Sequence, residues 1–241
     1  MDSNLIRFHS ADHRLNEESE YIPLPTAKTI PDWYRNADKY GKNPATNEPY
    51  LQNGEKIISF KGCPSVLDVM TTGYVLRTPC DIEFYEENGQ VKRKIDPEYE
   101  KFCVPRPEMP QFHHPLGYYR NHFAWFPDWG SELPDGYSML YTTPLNRFEI
   151  PFNTVAGIID NDKVSGNGFI PFFVINGFEG VVPAGTPYIQ MIPFLREDWH
   201  SEYKFYSKYQ TQLRAYNDSS RFRKPGGEVY KKEVWTRRLY K

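Results

Sequence analysis

Residues 155–166, VAGIIDNDKVSG, place two carboxylates, Asp160 and Asp162, after an apolar run and before a Gly-bearing turn. Carboxylates so placed could take part in acid–base chemistry or in binding a ligand. They also suit a plainer role. Asp and Asn side chains bond their own backbone about two residues on and close turns at strand ends.

Other constellations point less clearly to chemistry. His113, His114 and His122 fall close together with Asp128 nearby. A facial-triad iron site needs a His-x-Asp/Glu pair plus a distant His, and none of these three histidines opens such a pair. His9 and His13 in HSADH would share a face of a helix, but the segment is short and polar. No metal site is therefore expected. The chain has no G-x-S-x-G elbow, no G-x-x-x-x-G-K-[ST] loop and no G-x-G-x-x-G turn. Cys63, Cys80 and Cys103 form no C-x-x-C pair, which argues against a zinc knuckle or redox motif. No residue is assigned a catalytic role.

The elements that must position these residues are mostly strands. The 241 residues suit one domain with an appendage. With 21 Pro and 16 Gly, long helices are disfavoured, and an aromatic fraction of 16% means that Tyr and Phe supply much of the core. Residues 82–86 and 90–95 flank Asn88-Gly89, a pair that tolerates positive φ and predicts a tight hairpin. Further strands are predicted over 56–60, 137–143, 154–160, 170–176, 178–182 and 187–194. The segments 137–143, 154–160, 170–176 and 187–194 are expected to pair with one another. Residues 103–136, rich in Pro and aromatics, read as a crossing loop or a pair of edge strands. Short helices are expected from Pro31 towards Gly41 and from Pro64 towards Gly73. The expected fold is mainly β, a sandwich or distorted barrel. A loop-rich segment (1–56) precedes the β domain (57–195), and a basic helical tail (196–241) follows it.

Charge is uneven. Residues 200–241 hold 11 Lys/Arg against 4 Asp/Glu, which leaves 18 against 27 in the rest. From Trp199 through Tyr203, Tyr206, Tyr209, Leu213 and Tyr216, large side chains recur every three or four residues and predict an amphipathic helix. This stripe is expected to pack on its own chain first, against a neighbouring subunit second, and on single-stranded nucleic acid third. In the last case Tyr230 and Trp235 would stack on bases. No secretory leader or membrane span is expected.

The order of residues 142–194 adds a family expectation. A strand ending Gly-Ile-Ile-Asp (157–160) is followed some thirty residues later by PYIQMIPF (187–194), with a Gln at its centre. This resembles the dUTPase and dCTP deaminase superfamily and implies its β-fold. The resemblance implies that Asp160 meets a deoxyribose and positions water, and that Gln190 is the glutamine of the last strand. Lys163 stands where the family has a stacking tyrosine, and Arg147 in TTPLNRF lies near its phosphate-binding segment. Asp162 completes the candidate ligand set, and magnesium is implied only if a nucleotide binds.

The strings IPDWYRN, KGCPSVLDVMTTGYVLRTPCDIEF, PDGYSMLYTTPLNRFEIPFNTVAGIIDND and FEGVVPAGTPYIQMIPFLREDW look like a family of uncharacterised proteins of tailed bacteriophages. That resemblance implies a phage accessory protein in the host cytoplasm or virion, acting by binding or assembly as a homo-oligomer. The alternative is a nucleotide-binding or pyrophosphatase-like protein.

Overall fold

A computed structural model describes residues 5–10, 12, 21–52, 54–110, 113–166, 168–222 and 230–241. His13 and most of the basic loop RFRKPGGE lie outside the described residues. The chain forms two compact units. One comprises Met1–Thr29, Gly73–Arg196 and Tyr240; the other comprises Ile30–Thr72, Glu197–Leu239 and Lys241.

The strands along the chain are β1 (Arg7–His9), β2 (Leu24–Pro25), β3 (Leu51–Gln52), β4 (Glu55–Lys56), β5 (Tyr74–Arg77), β6 (Ile82–Glu87), β7 (Gln90–Ile95) and β8 (Cys103–Arg106). They continue with β9 (His122–Trp125), β10 (Gly130–Glu132), β11 (Tyr137–Thr142), β12 (Phe152–Thr154), β13 (Gly157–Ile159), β14 (Ile170–Val174), β15 (Gly180–Val182) and β16 (Pro187–Leu195). The fold is mainly β and sandwich-like. In the first unit the sheets run β13-β11-β16-β5-β2, β12-β14-β9-β8, β15-β6-β7 and β1-β10, and none closes into a barrel. Every named strand pair is antiparallel.

One hydrophobic core joins the three larger sheets. At its centre the Trp125 and Phe172 rings stack with centroids 3.7 Å apart, and Phe152 and Phe123 pack around Phe172. Trp125 Nε1 donates to Thr154 Oγ1 at 3.0 Å, and that hydroxyl donates to the Tyr188 carbonyl at 2.8 Å. The buried indole thus keeps a hydrogen bond inside the core, where an unmade one is costly.

The hairpin at Asn88-Gly89 forms as expected, with φ of 55° and 75° at its two central residues. Gly73, at φ +75°, is required for a second reason. A Cβ there would sit 2.0 Å from the Met191 carbonyl oxygen, so only glycine lets β5 start against β16.

Four expectations are corrected. The predicted strand 154–160 is two strands in different sheets. β12 pairs with β14, whereas β13 pairs with β11. Val155 donates to the Pro171 carbonyl at 2.8 Å, and after Ala156 the chain has crossed to the other layer. The four segments expected to pair together are therefore divided: β11 and β16 share a sheet, and β14 lies in the other. Residues 103–136 contain β8, β9 and β10, and β9 lies inside its sheet with Phe123, Ala124 and Trp125 buried. The predicted strand 56–60 is the end of the short β3–β4 hairpin followed by a 3-10 turn, Phe60–Gly62.

The second unit contains α1 (Asp32–Asn36), α2 (Pro64–Val69) and α3 (Lys208–Phe222). Pro31 is the N-cap of α1, not its first turn, and the helix ends at Asn36, short of Gly41. The tail helix starts at Lys208, not Trp199. Ser207 Oγ accepts from the Gln210 N–H at 3.3 Å, and Gln210 Oε1 accepts from the Ser207 N–H at 3.0 Å. This reciprocal cap stops the helix from extending upstream. No helix among the described residues is long and apolar enough to cross a membrane.

Candidate functional site

The two aspartates meet an arginine that the sequence did not single out. Arg196 follows β16 and lies beside the start of β11, where its N–H donates to the Gly136 carbonyl at 2.8 Å. Its guanidinium forks onto Asp162, with Nη1 on Oδ1 at 2.9 Å and Nη2 on Oδ2. Nη1 also lies 3.2 Å from Asp160 Oδ1 and donates to the Tyr137 carbonyl at 2.9 Å. Ser138 Oγ donates to Asp160 Oδ1 at 2.6 Å, and the Gly136 N–H donates to Asp162 Oδ2 at 2.9 Å. Ionised acceptors with this many donors are held firmly in the charged state.

The titration behaviour follows from these bonds. The Arg196 hydrogen bond, helped by the Gly136 N–H, holds Asp162 well below the usual carboxylate range. The Ser138 hydrogen bond, with Arg196 and Lys163 nearby, lowers Asp160. Arg196 is raised in turn by its bond to Asp162. Neither carboxylate is poised to take a proton near neutrality, which is what a general base needs. The Asp160 carbonyl accepts from the N–H groups of Lys163 and Val164 at 2.9 and 3.0 Å, closing the turn. Both aspartates thus fasten the turn after β13 to the ends of β11 and β16.

The other two candidates lie elsewhere. Gln190 is fully buried, and its Oε1 accepts from the Leu145 N–H at 2.8 Å. Its partner in the β11–β16 register is Thr142, whereas Phe194 is the partner of Ser138, which bonds Asp160. Four residues of strand, roughly 13 Å, therefore separate the two places. Arg147 donates to the Thr29 carbonyl and pairs with Glu149. It lines a cavity of about 380 Å³ with Phe178, Val181 and the segment from Val182 to Pro187. Asp160, Asp162 and Lys163 therefore share one turn, whereas Gln190 lies four residues away inside the sheet, bonded to Leu145, and Arg147 lines a cavity that does not include Gln190.

Neither buried thiol is poised as a nucleophile. Burial pushes Cys80 up to about 11 and raises Cys103 further. Among the described residues no group of three His, Cys, Asp or Glu side chains could hold a metal ion.

No protein-family model matches the chain, and no curated protein matches it.

The tail presents the other candidate surface. Trp199 is 86% exposed and Phe205 92%, and Tyr203, Tyr209 and Tyr216 are also exposed. On α3, Tyr209, Leu213 and Tyr216 follow the i, i+4, i+7 spacing of one face. Tyr206 just before it lies under the Arg214 guanidinium at 4.6 Å and the Lys204 ammonium at 5.6 Å. Trp235 has a structural partner: its Nε1 contacts both Asp68 carboxylate oxygens at 2.9 Å, and Arg238 lies 3.6 Å from the same group.

Proposed function

We propose that the protein is a non-catalytic binding and assembly protein that associates with further copies of itself through residues 199–216. The exposed aromatic stripe carries this reading. Seven large side chains, from Trp199 to Tyr216, leave on the order of 800 Å² of apolar surface uncovered, at 150–250 Å² for each aromatic. That is the area each partner contributes to a standard interface, and more than a monomer usually leaves bare. A phage accessory role, in the host cytoplasm or in the virion, is consistent with the bacteriophage resemblance of the sequence. Light scattering behind size exclusion, over a range of concentrations, tests the reading. Oligomers in the intact protein and monomers after Tyr209→Ser, Leu213→Ser and Tyr216→Ser together would support it. Intact protein that is monomeric at every concentration would end it.

A second reading, nucleotide binding of the dUTPase-like kind, rests on the Arg147 cavity, which lies in the segment that carries that resemblance. Calorimetry against a panel of deoxynucleoside triphosphates, with and without magnesium, decides it. No heat at millimolar nucleotide removes this reading, whether for a binder or for a pyrophosphatase.

A further inference from the structure

The β12-β14-β9-β8 sheet has a second face that the core does not use. Trp125, Phe123, Phe172 and Phe152 point inward; their neighbours along each strand must point outward. The registers align these outward residues into rows. Arg106 opposes His122, and Asn153 opposes Phe173. His122 and Phe173 complete the row, their rings stacked 5.2 Å apart. One step along, Val104 and Pro171 both oppose Ala124. Beyond it Phe126 and Phe169 pack with centroids 4.9 Å apart, 42% and 50% exposed. Arg106 reaches back across the face and lies 4.6 Å over the Phe169 ring.

The chemistry of this face is specific. It offers two aromatic clusters, two rows or more apart along the strands, where each row is about 7 Å from the next on the same face. It carries a planar guanidinium. Arg106 and His122 are the ionisable side chains at the outward positions of its four strands, and just past the strand ends Arg120 and Glu108 pair at 3.7 Å. The ligand that matches is flat, π-rich and anionic. Arg106 lines a cavity of about 520 Å³, but Phe126, Phe169, His122 and Phe173 lie outside it and form an open surface, not the enclosing pocket a free small molecule needs. A single strand laying successive bases along an open sheet needs none, because each base brings its own stacking surface and each phosphate its own charge.

We propose that this outward face binds single-stranded nucleic acid, stacking bases on Phe126, Phe169 and the His122–Phe173 pair, with Arg106 meeting a phosphate or a base plane. The site is independent of the tail and of self-association.

Fluorescence anisotropy tests the proposal with the intact chain and a labelled single-stranded oligonucleotide of about ten nucleotides, within the usual site size of such platforms. The single strand should bind and its duplex should bind more weakly. Phe126→Ala and Phe169→Ala should each weaken binding by roughly five- to a hundredfold, the scale of one lost stacking contact. Arg106→Ala should weaken binding and lower the salt slope by about one ion. Both phenylalanines are half exposed, and circular dichroism confirms that the variants fold; Arg106→Ala, which leaves the rings in place, gives a second route. The proposal is overturned by absence of binding at low salt, or by equal affinity for the duplex. It is also overturned if the Phe126→Ala/Phe169→Ala protein binds like wild type while Lys204→Ala/Lys208→Ala/Arg214→Ala abolishes binding, which would place the site on the tail.

Discussion

The aromatic residues of the β unit and those of the tail meet opposite fates. Trp125, Phe172 and Tyr141 are essentially fully buried, while Trp199, Phe205 and Tyr209 stand largely in solvent. The residue types are alike, so type alone does not decide burial. What differs is the surface opposite. Trp125 sits on an interior strand with a second layer across from it, and its one polar atom has Thr154 to bond. The tail residues lie on an extended segment and on one amphipathic helix, neither of which can cover itself. A high aromatic content thus reports either a core or an interface.

The largest effect should come from the core side of this comparison. Trp125→Ala removes the ring stacked on Phe172 and leaves Thr154 Oγ1 without its donor. A buried aromatic truncation of this kind costs about 3–5 kcal/mol. Urea denaturation followed by circular dichroism should show most of the stability of the β unit gone. A loss below about 1 kcal/mol would mean that the core centre has been misplaced.

Gly73→Ala comes next. Left-handed backbone at a residue with a Cβ costs about 1–3 kcal/mol, and here the new carbon also collides with the Met191 carbonyl. Gly89→Ala shares the positive φ but has open space around it. The first variant should therefore be clearly the less stable of the two in the same denaturation experiment. Equal losses would show that strain alone, without the contact to β16, sets the cost.

Much of the β unit could be read before its structure. β6 and β7 alternate inward and outward residues, and Asn88-Gly89 admits one turn geometry, so the hairpin was legible. β9 was not. Phe123, Ala124 and Trp125 are all buried, so the period-two signal is absent, and Pro-rich segments on either side look like loop. The change of sheet at Val155–Ala156 leaves no mark in hydropathy, because both strands are short and the two residues between them are themselves apolar. At the candidate site the aspartates were legible as polar groups at a strand end. Their partner Arg196, brought in by the β11–β16 pairing, was not. The start of α3 was written in Ser207 and Gln210, but the aromatic spacing drew the expected boundary upstream to Trp199.

A smaller effect tests the fastener reading of Asp162. Its carboxylate is held below its ordinary range by Arg196, so its ionised form is favoured more in the folded than in the unfolded chain. The contribution is present in full above the unfolded value of about 3.9 and is lost as pH falls towards the folded one. Asp162→Asn should be less stable than wild type at neutral pH, and the gap should narrow as the pH drops below about 4. A gap that is constant with pH would mean that the side chain acts by shape alone. If Asp162→Asn instead leaves stability unchanged and abolishes binding of an added nucleotide, the turn is a ligand site and not a fastener.

The smallest effect on stability should come from the tail, and that smallness is the informative part. Tyr209, Leu213 and Tyr216 are already in water in the single chain, so replacing them with Ser removes few contacts from it. Surface substitutions of this sort usually change stability by less than about 0.5 kcal/mol each. Association changes the expectation with concentration. Copies that bind one another when folded, and not when unfolded, raise the apparent melting temperature as the protein is concentrated. Wild type and the triple Ser variant should therefore melt together when dilute and separate when concentrated, with wild type the higher. Melting curves that differ by the same amount at every concentration would place the stripe against its own chain. Curves that coincide at every concentration would leave the stripe without a copy of itself as partner.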